Sequence, residues 1–250
     1  MSSYNPFSLD GKTILVTGAS SGIGRATAIE CSKMGAKLII TGRNTDRLNE
    51  TFIQLDGTDH IQITANLQDT AQLSSLIDSI PEITGVVHCA GITKTVPFQF
   101  ASRENLDTVM NINFYAPVEL TRLLLKKKKL AGNGSIVFIS SISGVICSAP
   151  ASSIYSASKG GINGLVKGMA LDLAPKGIRV NCINPGVIET AIFEAEVISK
   201  EQIEEDKKRY PLNRHGKPKE VAYAAIYLLS DASAWVTGSN LVIDGGFTLL

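Results

Sequence analysis

The sequence predicts an α/β fold: a mostly parallel sheet covered by helices on both faces. Three observations carry that prediction. Short, β-rich apolar runs alternate with longer stretches of helical periodicity along nearly the whole chain. The chain has 250 residues, 44% of them hydrophobic, which suits one large domain with a substantial core. No low-complexity linker divides it, and no repeat of solenoid length is visible.

In chain order, the strand candidates are Lys12–Thr17, Lys37–Thr41, His60–Thr64, Gly85–Cys89, Ser135–Ser140, Arg179–Asn184 and Asn240–Asp244. Ile14-Leu15-Val16 typifies them as a continuous apolar run, the signature of a strand buried on both faces. Helical patterns lie between them, near 23–34, 45–55, 69–79, 102–129, 153–174 and 218–230. Strands separated by helices imply parallel pairing through right-handed crossovers. Ligands of such sheets bind beyond the carboxyl ends of the strands, near the switch in strand order. Attention therefore falls on Gly18–Gly24, Gly42–Asn44, Asn66–Leu67, Cys89–Gly91, Ser141–Gly144 and Pro185–Thr190.

Composition excludes several function classes. A net charge of +1 makes no global electrostatic case for nucleic acid or a membrane surface. The start, Met1 to Phe7, lacks a basic segment followed by an apolar core, and no apolar run is long enough to cross a bilayer. Cys31, Cys89, Cys147 and Cys182 are widely separated, so neither a zinc site nor a disulfide framework is expected, and a cytoplasmic setting is the simplest. The run Lys126–Lys129 reads first as a solvated helix C-terminus, where cations suit the dipole, and second as a docking patch for an acidic partner.

Thr17-Gly18-Ala19-Ser20-Ser21-Gly22-Ile23-Gly24 is the most informative segment. It joins the first strand to the first helix. Glycines there allow a tight turn and close approach of backbone to a phosphate, and the helix start offers N–H groups and a favourable dipole. A glycine triplet alone is weak; with strand and helix in place it predicts dinucleotide binding. After the second strand, Ile39-Ile40-Thr41-Gly42-Arg43-Asn44 lacks the acidic residue that usually holds the ribose hydroxyls of NAD. Arg43 instead offers a planar fork of donors suited to a 2′-phosphate, so NADP(H) is the expected cofactor.

Tyr155-Ser156-Ala157-Ser158-Lys159 is the second constellation. Residues four apart share a helix face, so Tyr155 and Lys159 point together. A tyrosine titrates near pH ~10, and a neighbouring ammonium is expected to lower that value. Ser141 follows the fifth strand, where its hydroxyl can reach a substrate oxygen.

With these residues in view, the chain resembles the short-chain dehydrogenase/reductase family, in its single-domain branch. The resemblance runs from Leu9 to Phe247. It includes the Thr17–Gly24 turn, Cys89-Ala90-Gly91, Asn113, Ser141, Tyr155, Lys159, Pro185-Gly186, Thr237-Gly238-Ser239 and Asp244-Gly245-Gly246. It implies a Rossmann-type three-layer α/β/α sandwich with a mostly parallel seven-stranded sheet, formed by residues 1–250 as one domain with a substrate lid near 190–215. It also implies roles. Tyr155 would be the general acid in ketone reduction or the base in alcohol oxidation. Lys159 would bind the nicotinamide ribose, and Ser141 would polarise the carbonyl. Asn113 would hold a water linking Lys159 to solvent; Asn111 competes by composition, but Asn113 fits the family register. Cofactor contacts are expected from Gly18, Ser20, Ser21, Gly22, Ile23 and Gly24, from Arg43, Asn44, Asn66 and Leu67, from Cys89, Ala90 and Gly91, and from Tyr155 and Lys159. Pro185, Gly186, Ile188 and Thr190 resemble the family's nicotinamide clasp. No metal is implied.

Three positions depart from the family pattern. Ser21 replaces the basic residue of some NADP-binding members, which leaves Arg43 carrying most of the phosphate argument. Cys89 stands where asparagine is common, and it reads as a small apolar group rather than a redox sensor. Asn66 stands where an aspartate usually meets the adenine amino group, a bond its amide oxygen can still accept. His60, His88 and His215 form no ligand cluster.

The chain resembles 3-oxoacyl-[acyl-carrier-protein] reductases, so the substrate expected is a ketone, with an acyl-carrier-protein thioester as one candidate partner. The spacing Tyr-x3-Lys favours ketone chemistry over the family's enoyl reductases. A dehydrogenase of another secondary alcohol (steroid, sugar or polyol) and a non-catalytic nucleotide-binding regulator are the alternatives. Ile192, Phe193 and Val197, with Val96, Phe98, Cys147 and Ile154 opposite, are expected to line an apolar pocket. A homotetramer is implied, built on the helices near 102–129 and 153–174 and on the apolar end Phe247-Thr248-Leu249-Leu250.

Overall fold

All seven strands form in the computed structural model, which describes residues 4–190 and 199–250. They are β1 (Thr13–Thr17), β2 (Lys37–Gly42), β3 (Ile61–Thr64), β4 (Ile83–His88), β5 (Leu130–Ile139), β6 (Arg179–Pro185) and β7 (Asn240–Ile243). The sheet order is β3-β2-β1-β4-β5-β6-β7. Every pairing is parallel, so the sheet is fully rather than mostly parallel. The chain runs outward from β1 to β3, then crosses back to lay β4 beside β1, and the switch in order leaves a crevice at the ends of these two strands.

Alternation along each strand divides the core in two. Leu15, Ile39, Val86, Ile136, Phe138 and Val180 belong to one buried cluster. Their neighbours Ile14, Val16, Leu38, Ile40, Val87 and Val137 belong to the other. Full burial of each such side chain contributes about 1.5–3 kcal/mol, which is why no strand of the sheet's centre can slip by one residue.

The helices are α1 (Gly22–Lys33), α2 (Thr45–Phe52), α3 (Thr70–Ser79), α4 (Arg103–Met110), α5 (Ala116–Lys126), α6 (Ser153–Leu173), α7 (Lys200–Lys207) and α8 (Pro218–Leu229). Side-chain caps start several of them: Asn44 accepts from Arg47 N, Asp69 from Ala71 N and Gln72 N, and Ser102 from Asn105 N. Each cap is worth about 1 kcal/mol.

Three boundaries differ from expectation. The helix foreseen over 102–129 is two helices joined by a π-type turn, Asn111–Tyr115, and it ends at Lys126. Such a turn inserts an extra residue and re-aims its side chains; here it holds Asn113 buried. β4 begins and ends earlier than Gly85–Cys89, and Cys89 lies past its end. β5 begins at Leu130 because Leu130 pairs with Ile83 ahead of a register shift. The lysine run is also more engaged than a solvated terminus. Lys127 Nζ reaches Ser74 Oγ (2.9 Å) and Asp78 Oδ1 (2.7 Å), and Lys129 Nζ reaches Ile80 O (2.5 Å). Two of its members thus brace α3, and neither is free for an acidic partner.

Candidate active site

The crevice at the strand ends is a cleft of about 750 Å³. Its walls include every residue expected to touch the cofactor except Lys159, which is buried behind them with Asn113. The glycine turn forms one wall. Gly18 has φ +65°, and a Cβ there would stand 2.8 Å from the Ala90 N and Cα atoms, so only glycine lets the ends of β1 and β4 approach so closely. Thr17 Oγ1 ties the two ends together by accepting from Cys89 N and Ala90 N, both at 3.2 Å.

The start of α1 suits an anion. Ser21 makes no side-chain cap and the first turn carries no acid, so its N–H groups have no competing partner from a side chain. Across the cleft, the Thr190 methyl lies 3.2 Å from where a Gly22 Cβ would be. The Pro185–Glu189 segment that carries Ile188 is held on both sides. Gly186 N donates to Ile243 O (2.9 Å), and Gly216 N donates to Val187 O (3.0 Å). A dinucleotide therefore fits: a close-approach glycine turn, an uncapped helix start and a fixed clasp face one elongated cleft.

Arg25 organises the far end. Its guanidinium donates to Ser20 O (2.9 Å) and Arg47 O (3.1 Å), and it pairs with Glu50 (2.8 Å). This clamps α2 to the glycine turn and sets two exposed cations, Arg43 and Arg47, into the same cleft. Arg47 is absent from the residues expected from sequence; its position on the first turn of the helix that follows Arg43 was the available signal. Asn66 and Leu67 line the wall beside them. Asn66 Oδ1 accepts from Gln68 N (3.2 Å).

The other half of the cleft carries Ser141 and Tyr155. Ser141 is buried, and its Oγ accepts from Ser143 N (3.1 Å). Burial holds the Tyr155 phenol above its ordinary value, opposed by a hydrogen bond from the Ser141 side chain. The direction is opposite to the sequence expectation. Lys159 explains the difference: its Nζ donates to Ile139 O (2.9 Å) and lies 5.8 Å from the Tyr155 ring centre. The ammonium is spent on a backbone carbonyl, and burial pulls its own value down to about 8. Asn113 is likewise engaged. Its Oδ1 accepts from Ile92 N (2.9 Å), and its Nδ2 donates to Ile92 O (3.0 Å) and Ser158 Oγ (3.0 Å).

The Lys159 shift has a stability consequence with a definite sign. The unfolded chain keeps this proton up to its ordinary value of 10.5, whereas the folded chain releases it near 8. Between those values the unfolded state binds more protons, so stability rises with pH; below about 8 both states are charged and the full burial penalty applies. Urea midpoints of wild type and Lys159→Met, compared between pH 7.5 and 10, are expected to converge as pH rises. A constant difference across that window counts against the shift.

Cys89 borders the cleft, but burial pushes its thiol up to about 12, which leaves it a packing group. His88 is buried and neutral, stacked on Phe138 at 4.6 Å, with burial pulling it down to about 3. Because Thr121 Oγ1 donates to Pro117 O (2.8 Å), it accepts from His88 Nε2 (2.9 Å), which assigns the Nε2–H tautomer. His215 is buried in its loop against Asp206 (2.9 Å) and Tyr210.

The substrate side is lined in part by other residues than those expected. Ile192, Phe193 and Val197 lie outside the described residues. Of the residues expected opposite, only Cys147 borders the cleft; Ile154 is buried beneath it, and Phe98 is exposed to solvent. The wall is mixed: Thr93, Lys94, Thr95, Ser148 and Ser152 stand among Ile142, Ala149, Pro150 and Val187. Arg209, Tyr210 and Phe247 close one rim, the Arg209 guanidinium lying 5.1 Å over the Phe247 ring. Phe247 is expected from sequence only as part of an intersubunit surface, and its place here follows from the chain returning past β7. Among the described residues there is no cluster that could hold a metal ion and no helix long and apolar enough to cross a membrane.

Fold and cleft together define a dinucleotide-dependent oxidoreductase scaffold, and comparison with known proteins agrees. Residues 18–248 match the family profile described as enoyl-(acyl carrier protein) reductase. The chain is 36% identical to the 3-oxoacyl-[acyl-carrier-protein] reductase FabG of Thermotoga maritima, over 96% of this chain and 99% of that one. It is 34% identical to the NADP-dependent (R)-specific alcohol dehydrogenase of Lentilactobacillus kefiri, over 96% and 98% respectively. Among solved structures, one assigned as a 2-deoxy-D-gluconate 3-dehydrogenase from Agrobacterium tumefaciens, with bound NADP, superposes with a TM-score of 0.89. It is 31% identical and covers 99% of this chain and 100% of its own. The chain belongs to the short-chain dehydrogenase/reductase family and is an oxidoreductase of that family.

Proposed function

We propose that this protein is an NADPH-dependent reductase that converts a ketone to a secondary alcohol. The observation that carries the reading is the meeting of Ser141 and Tyr155 on one wall of the cleft that the glycine turn opens. A bound reduced nicotinamide supplies a hydride to the carbonyl carbon. The Ser141 hydroxyl orients the carbonyl oxygen, and the Tyr155 hydroxyl gives its proton as that oxygen becomes an alkoxide. A phenol held above its ordinary value keeps that proton until the alkoxide, a stronger base, forms. Lys159 and Asn113 hold α6 and the Ile92 loop in place behind the two hydroxyls.

NADP(H) is the cofactor in this reading, with Arg43 and Arg47 facing its 2′-phosphate. Arg43→Ala is expected to lower kcat/KM for NADPH by about 10- to 100-fold while changing NADH little. NADPH and NADH oxidation at 340 nm, with a ketone panel that includes acetoacetyl thioesters, tests both cofactor and reaction. NADPH binding without turnover of any ketone would discard the reductase reading in favour of a nucleotide-binding regulator.

The 3-oxoacyl thioester, carried by an acyl carrier protein, is the substrate supported by the FabG relatives. A second reading, a polyol- or sugar-type secondary alcohol, is favoured by the hydroxyl-bearing residues Thr93, Thr95, Ser148 and Ser152 on the substrate side. The chain is read as one cofactor-binding domain with its lid near 190–215, working in the cytoplasm. A homotetramer is supported by exposed apolar side chains on the segments expected to form its interfaces: Tyr115 and Leu171 within 102–129 and 153–174, and Leu249 and Leu250 at the apolar end. Light scattering at micromolar concentration is expected to give the mass of four chains; a monomer would refute it.

A further inference from the structure

We propose that Lys94 anchors an anionic group of the substrate, so that the ketone reduced carries a carboxylate or phosphate beside its reacting carbonyl. The inference rests on the reductase reading and narrows its substrate class. Lys94 borders the cleft and is half-buried. It makes no ion pair or hydrogen bond to any described residue, unlike Arg209, whose charge is met by Asp206 at 2.9 Å. A lysine on the cleft wall without a protein partner leaves one positive charge available to a bound anion.

The backbone on either side of Lys94 is held in place. Two residues before Lys94, both backbone polar groups of Ile92 are bonded to the Asn113 amide (2.9 and 3.0 Å). Two residues after it, Val96 N donates to Ala151 O (2.8 Å). Ala151 itself adopts φ +61°, a strained conformation for a residue with a Cβ. Lys94 thus spans a bridge between the buried π-type turn and the loop ahead of α6, pinned at both ends. Pinning fixes the backbone from which the Lys94 side chain reaches into the cleft.

Its place in the sheet separates it from the cofactor phosphates. Arg43 and Arg47 follow β2, the start of α1 follows β1, and Lys94 follows β4, beside the β5 end that carries Ser141. Strands lie about 4.8 Å apart, so β2 and β4 are separated by two such steps. The neighbouring hydroxyl-bearing residues Thr93, Thr95, Ser148 and Ser152 add donors able to solvate an oxyanion.

The test compares wild type, Lys94→Gln and Lys94→Arg on acetoacetate, dihydroxyacetone phosphate and neutral ethyl acetoacetate. The expected result is a loss of about 10- to 100-fold in kcat/KM for one or both anions in K94Q, little change for the ester, and recovery in K94R. Whichever anion loses more identifies carboxylate or phosphate. Equal losses on the ester and the anions, or a weakened NADPH affinity that accounts for the whole effect, would overturn the proposal. A second readout needs no turnover. Calorimetric titration of 3-hydroxybutyrate and glycerol 3-phosphate into the NADPH complex should show anion binding that K94Q loses. Unchanged anion binding in K94Q, or none in wild type, sinks the Lys94 site. Absence of turnover on all three ketones with anion binding intact sinks the reductase reading instead.

Discussion

Tyr155→Phe is expected to abolish ketone reduction, with kcat falling by about 10²–10⁴-fold, because it removes the proton that meets both Ser141 and the cleft. The substitution keeps the ring and its packing at the start of α6. NADPH affinity and the unfolding midpoint should therefore stay near those of wild type. A stopped assay with the most active ketone, beside fluorescence titration of NADPH, separates the two effects. Normal turnover in this variant would assign the proton to another group, and loss of NADPH binding would make Tyr155 a structural residue. The pH dependence should follow the same logic: burial holds the phenol above its ordinary value, so reduction persists through neutral pH and fades only in the alkaline range as the phenol loses its proton.

Gly18→Ala is the second large effect. At φ +65° any residue with a Cβ is strained, by about 1–2 kcal/mol. Here the added carbon would also stand 2.8 Å from the Ala90 backbone and 3.0 Å from Cys89 C, so the ends of β1 and β4 must move apart. Gly11 supplies the control. It has φ +73° and nothing within 4 Å of where a Cβ would stand, so Gly11→Ala carries the torsional strain alone. Both variants should melt a few degrees lower, at about 2–4 °C per kcal/mol for a chain of this size. Only Gly18→Ala should lose NADPH affinity, by more than about tenfold, since only there does the backbone that faces the cofactor shift. Equal cofactor affinity in the two variants would mean that the β1–β4 contact does not shape the site.

The cleft was legible in sequence where its parts are local. Gly18, Ser20, Ser21, Gly22, Ile23 and Gly24 form a contiguous turn whose conformation is written in its own glycines. Arg43 and Ser141 follow strands directly, so the rule for parallel sheets places them at the cleft. Residues that reach the cleft by another route were not legible. Lys94 depends on the bridge from Asn113 to Ala151, and Arg209 and Phe247 depend on the packing of the last turns after α7 and β7. The helix expected over 102–129 contains Pro117, which stands in the first turn of α5 and was the local signal of the break; the extra residue of the π-type turn ahead of it has no such signal.

The sequence by itself determined the layered α/β architecture, the position of the dinucleotide turn, and the pairing of Tyr155 with Lys159 on one helix face. These follow from strand, helix and turn geometry acting over a few residues. The tertiary structure alone decided where the charges and protons rest. The Lys159 ammonium settles on Ile139 O, the Tyr155 phenol is raised rather than lowered, and Lys94 faces the cleft with no partner among the described residues. Burial and hydrogen bonding between segments far apart in the chain set these states, and no local period encodes them.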